Sequence, residues 1–102
     1  MNSNSLYNTI ITRCNNGSKE DINFILELLN TDIDIATTKI IDFYLSTVTN
    51  EEGLKEIEFF LFEGTQIQRN YCTLFFSRRD EWQLVHKAFK MGLIDDKQAY
   101  SR

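Results

Sequence analysis

Apolar residues recur along this chain at helical spacing, and the recurrence breaks at short polar turns. Ile22, Ile25, Leu26 and Leu29 stand at i, i+3, i+4 and i+7, the pattern of a helix that buries one face. Before them, Leu6, Ile10 and Arg13 fall on related turns of a first helix expected from Ser5 to Cys14, which Asn15-Asn16-Gly17 ends. Ser18 then starts the second helix, with Asp21 at its third position and Glu20 adding negative charge near the positive end of the dipole. Asn30-Thr31-Asp32 breaks it. A third helix is expected from about Ile33 to Val48, with Ala36, Ile40, Phe43 and Tyr44 along one side and Ile41, Leu45 and Val48 beside them. The β-branched residues of Ile33 to Ile41 also suit a strand, but strict alternation is absent and the length favours a helix.

Thr49-Asn50 opens the fourth helix, and from Leu54 to Phe76 the chain reads as a central hairpin of two helices. Its turn is Glu63-Gly64-Thr65: Gly64 is suited to the left-handed conformation that closes a helix, and Thr65 with Gln68 forms a capping box for the next. Leu54, Ile57 and Leu61 share one face upstream; Ile67, Tyr71, Leu74 and Phe75 share one downstream. The runs Phe59-Phe60-Leu61-Phe62 and Leu74-Phe75-Phe76 are too continuous to hide on one face, because successive helical residues point about 100° apart. Such a hairpin either has neighbours on both sides or offers an apolar patch to a partner.

Asp80 heads a sixth helix with Trp82, Val85 and Phe89 on one stripe and Gln83 at its third position, and Gly92 stops it. Asp95, with Gln98, heads a short last one. The start signals Thr65, Asp80 and Asp95 are fifteen residues apart, the length of one helix and one turn. A longer period is also visible. Shifting the chain by 32 residues lays Glu20 on Glu52, Ile25 on Ile57, Leu29 on Leu61, Ile35 on Ile67, Phe43 on Phe75 and Tyr44 on Phe76.

These features predict an all-α fold of six or seven short helices stacked as antiparallel hairpins, either α-solenoid-like or a compact orthogonal bundle. Residues 1–5 are expected to fray, leaving 6–102 as a single helical domain. The segment Gly64-Thr65-Gln66-Ile67-Gln68-Arg69-Asn70-Tyr71-Cys72 resembles the opening of a HEAT-type second helix: a polar turn, a buried residue, an arginine, then a small residue three later. Arg69 and Cys72 fill the last two roles, and the resemblance extends over residues 18–92, without the inter-helix proline of many such repeats. It implies protein binding along a concave or ridged surface and no catalysis.

Composition narrows the choice of function. A chain of 102 residues, 42% hydrophobic and 25% charged, with no proline, is that of an ordinary helical globular protein. Its longest apolar run is four residues, and no secretory signal is visible, so no membrane role is expected. The two cysteines suit a reduced, cytoplasmic setting, and the many Asn and Ile residues suggest an AT-rich bacterial genome. Net charge is −4, polarised as −7 over residues 1–65 and +3 over residues 66–102.

Candidate chemistry is sparse. Cys72 and His86 are the one Cys–His pair that antiparallel fifth and sixth helices bring within reach, but a dyad needs a stabilised thiolate and an orienting group. The reading preferred here is a small core cysteine and a surface histidine. Of the carboxylate pairs Asp32/Asp34, Glu51/Glu52, Glu56/Glu58 and Asp95/Asp96, three suit helix starts, and Asp32/Asp34 lacks the glycine and terminal glutamate of a calcium loop, so no catalytic, cofactor or metal site is assigned. The expected function is a non-enzymatic protein–protein interaction module, a helical-repeat adaptor or an inhibitor of the immunity type. Its contact residues are Phe59, Phe62 and Phe76 from the apolar surplus, and Arg69, Arg78, Arg79, Trp82, His86 and Lys87 from the basic ridge. Self-association through the same patch is a second use. The alternative is a nucleic-acid accessory protein that neutralises phosphate with the C-terminal basic face.

Overall fold

Local start and stop signals become the ends of helices. The computed structural model describes residues 3–100, and among these it holds α1 (Ser3–Asn16), α2 (Lys19–Glu27), α3 (Ile35–Leu45), α4 (Glu51–Glu63), α5 (Gln66–Arg78), α6 (Trp82–Lys90) and α7 (Asp96–Tyr100), with no strand. α1 therefore begins at Ser3, two residues before its expected start, and Met1 and Asn2 of the expected frayed segment lie outside the described residues. By packing, the chain divides into two units, Met1–Glu56 and Ile57–Arg102.

In the first unit α1 packs against both α2 and α3. The core is Ile10, Cys14, Ile22, Ile25, Leu26, Leu29, Ile41, Leu45 and Val48, all buried. The α2 periodicity is thus the buried stripe it promised. Ser18 and Asp21 form the expected capping box, and Asp21 does more than cap. Its carboxylate accepts from the Ser18 hydroxyl at 2.8 Å, the Asn16 amide at 3.0 Å and the Arg13 guanidinium at 3.3 Å, tying the end of α1 to the start of α2. The Arg13 guanidinium also lies 4.1 Å from the centre of the Phe24 ring.

Burial alone raises the Asp21 pKa. The hydrogen bonds from Ser18 and Asn16, with the Arg13 charge, outweigh it and hold the carboxyl below its ordinary 3.8. A carboxyl depressed by folding stabilises the fold above its unfolded pKa and loses that contribution as pH falls through the folded value. Urea unfolding at pH 7 is expected to show Asp21→Asn less stable by about 1 kcal/mol. The difference shrinks once the pH drops below 3.8 toward the lowered value.

α3 departs from expectation in two ways. It starts at Ile35 rather than Ile33, because Asp34 caps it by accepting from the Thr37 N–H at 2.7 Å. Of its two apolar stripes, the fold buries the one containing Ile41 and Leu45, together with Thr37 and Thr38; Ala36 and Phe43 stay exposed. α4 starts where Thr49-Asn50 predicted, with the Asn50 side chain accepting from the Glu52 N–H at 3.0 Å. Three further bonds anchor that start. Asn50 donates to the Asn16 carbonyl at 3.2 Å, the Lys19 N–H to Glu52 at 3.3 Å, and Asn23 to Glu56 at 2.9 Å.

In the second unit α5 packs against α6 and α7, and α6 against α7. Ile57, Phe60, Leu61, Cys72, Phe75, Phe76, Val85, Ala88, Ile94 and Ala99 are buried. The Thr65–Gln68 capping box is present at α5, and an equivalent reciprocal pair, Asp95 with Gln98, opens α7. Gly64 is not left-handed: the positive-φ glycines are Gly17 and Gly92. At Gly64 the constraint is space, since a Cβ there would lie 2.5 Å from the Phe60 carbonyl oxygen.

Asp80 does not head α6. It is left-handed, with φ 59°, and closes α5: its N–H donates to the Ser77 carbonyl at 3.1 Å and the Glu81 N–H to the Phe76 carbonyl at 2.9 Å. That bonding is the Schellman arrangement, in which the left-handed residue is usually glycine. The end of α6 repeats it with Gly92 (φ 75°) and a Leu93 N–H to Ala88 carbonyl bond of 3.0 Å. α6 then begins after Glu81 without a side-chain cap. Because the position is left-handed, Asp80→Gly is expected to be more stable than Asp80→Ala by about 0.5–1 kcal/mol, measured by thermal and urea unfolding.

Candidate interaction surface

α6 is the most sharply two-sided helix of the chain. Val85 and Ala88 are buried, whereas Trp82, Gln83, His86, Lys87 and Lys90 face solvent. Trp82 and His86 are one turn apart, and with Gln83, Val85 and Ala99 of α7 they line a mostly apolar groove of about 410 Å³. That volume lies within the range of ordinary ligand and side-chain pockets. Trp82 is 37% exposed, so it is neither core nor a free flap: one part of the indole is packed and the rest is available to a second surface. Lys87 and Lys90 occupy the last turn of α6, where the helix dipole favours positive charge.

The residues expected to meet a partner separate into three groups. Trp82 and His86 come together in the groove. Phe59, 54% exposed and edge-on to Phe60 at 5.6 Å, is open to solvent, as are Arg78, Arg79 and Lys87. Two of these cations also lie over aromatic rings: the Arg79 guanidinium is 4.3 Å from the centre of Phe75, and the Lys87 ammonium 5.1 Å from that of the half-buried Phe62. Phe76 and Arg69 form the third group and do not present themselves. Phe76 is buried against Phe75 with the rings perpendicular. Arg69 donates to two backbone carbonyls, Leu93 at 3.0 Å and Gly64 at 2.8 Å.

Cys72 and His86 are not joined by a hydrogen bond. The Cys72 side chain is fully buried, and burial pushes its thiol pKa well up, opposite to the shift a thiolate nucleophile requires. His86 has an aromatic neighbour instead, Phe89, at 6.4 Å between ring centres. Among the described residues no three His, Cys, Asp or Glu side chains gather as a metal site, and no helix is long and apolar enough to cross a membrane. The floor of the groove was not foreseen from the sequence: Ala99 belongs to a five-residue helix whose apolar pattern is too short to read.

Comparison with protein-family models, curated proteins and solved structures finds no match to this chain.

Proposed function

We propose that this chain is a non-enzymatic protein-interaction module, a small helical-repeat adaptor or an inhibitor of the immunity type, working in the cytoplasm. In this reading a side chain of the partner protein is held in the α6–α7 groove. The carrying observation is the half-open Trp82 beside His86 over an apolar floor, since Trp is among the residue types enriched as binding anchors. The helical-repeat form is supported by the 32-residue shift, which carries Lys19, the start of α2, onto Glu51, the start of α4.

Trp82 is the only tryptophan, so its fluorescence reports on the groove directly. Affinity capture from the source cell is expected to retain a protein that Trp82→Ala loses, with a shift of the Trp82 emission when that protein is added. Capture unaffected by Trp82→Ala would falsify the groove assignment. The nucleic-acid reading keeps the exposed Arg78, Arg79 and Lys87 but is left without Arg69. It is supported if single-stranded DNA or RNA retains the chain at low salt and an Arg78→Ala, Arg79→Ala double variant is not retained.

A further inference from the structure

We propose that the outward face of α3 is a homodimer interface, on which two copies of the chain lay α3 antiparallel against α3 about a two-fold axis. Within the fold α3 contributes Thr37, Thr38, Ile41 and Leu45 to the interior, so half of its buried face is threonine. Outward it shows Ile35, 75% exposed, Phe43, 63% exposed, and Ala36, with Ile40 and Tyr44 half-exposed beside them. A surface helix normally carries its bulk inward and its polar residues outward; here the bulk is outside. Phe43 and Tyr44 stand edge-on, 5.0 Å between ring centres, and present adjoining aromatic surface.

Charge and spacing point to a second copy as the occupant. Residues 1–56 carry nine acidic and four basic side chains, so most of this unit repels its own kind. α3 carries one of each, Lys39 and Asp42, and is neutral, whereas α2 and the first turn of α4 are net negative. A basic partner would find its complement on α2 or α4; an identical copy meets less repulsion on α3 than on either of those. Ala36, Ile40 and Phe43 are separated by four and three residues, the spacing of a coiled-coil seam. With the axis between Lys39 and Ile40, Phe43 of each copy meets Ala36 of the other across the centre of the face. Large opposes small and each contact is made twice, the signature of an isologous interface. A parallel arrangement sets Phe43 on Phe43 and leaves a gap at Ala36. Lys39 borders the seam, its stem covering apolar surface while the ammonium reaches water.

One helix pair is a small interface, so the dimer is reversible and concentration-dependent. None of residues 35–44 lines the α6–α7 groove, so the two proposals stand or fall independently. Sedimentation velocity of the full chain, raised to millimolar concentration, is expected to show a monomer–dimer equilibrium. Phe43→Asp and Ala36→Glu are each expected to weaken it at least about tenfold with an unchanged circular-dichroism spectrum, because both positions are exposed. Trp82→Ala is expected to leave it unaltered. A monomer at every concentration overturns the proposal. So does a dimer that survives both α3 substitutions, or one that Trp82→Ala abolishes.

Discussion

Gly53→Val will destabilise the protein by about 2–3 kcal/mol, seen as a fall in melting temperature of roughly 10–20 °C. Gly53 sits in the first turn of α4, where alanine or valine ordinarily improves a helix. Here any Cβ would lie 2.5 Å from the Gly17 carbonyl oxygen, 2.9 Å from Ile22 Cγ1 and 3.0 Å from Val48 Cγ1. The first of these is backbone of the α1–α2 turn, which cannot rotate away, and the other two belong to the buried core. Gly53→Ala gains about 1 kcal/mol in helix propensity and still loses overall, by about 1–2 kcal/mol. Differential scanning calorimetry of the two variants tests the ordering. An alanine variant more stable than the parent would show that α4 can retreat from the turn without loss.

Arg69→Ala is the second large effect, about 2–4 kcal/mol, and it distinguishes a bracket from a binding residue. The Arg69 guanidinium bonds the carbonyl of Gly64, before α5, and that of Leu93, after α6. Removing it loses two charge-assisted bonds and leaves partly buried carbonyls to be resolvated. Lysine has no planar fork and cannot span both carbonyls, so Arg69→Lys recovers less than half of the loss. Equilibrium urea unfolding measures both variants. If Arg69 were chiefly a partner contact, both substitutions would leave the unfolding midpoint unchanged and reduce only capture of the partner.

These two residues also mark where reading the chain from its sequence stops. Ser18, Thr65 and Asp95 were legible as helix starts because a cap is decided by residues three apart. Asp80 carries the same chemistry, but the turn between α5 and α6 is too short for separate stop and start signals. The aspartate there is used to stop, in the left-handed conformation that Asp tolerates better than most residues. The stripes of α3 are both at helical spacing, and which one faces inward is set by α1, not by α3 itself. Arg69 acquires its role from a carbonyl 24 residues away, and Gly53 from one in another turn, so neither has a local sign. Residue type and spacing are enough to single out Trp82 and His86 in the sequence. The groove that joins them depends on how α7 lies across α6.

The two sulfhydryls turn this arrangement into a pair of built-in clocks. Cys14 lies in the first unit, its pKa pushed up to about 12 by burial and by the Asp21 charge, and Cys72 lies fully enclosed in the second. An alkylating reagent reaches either sulfur only while its surroundings are open, so the rate of modification at each, read by peptide mass, measures how often that region breathes. Matching rates describe one cooperative molecule; unequal rates describe two that loosen on separate schedules.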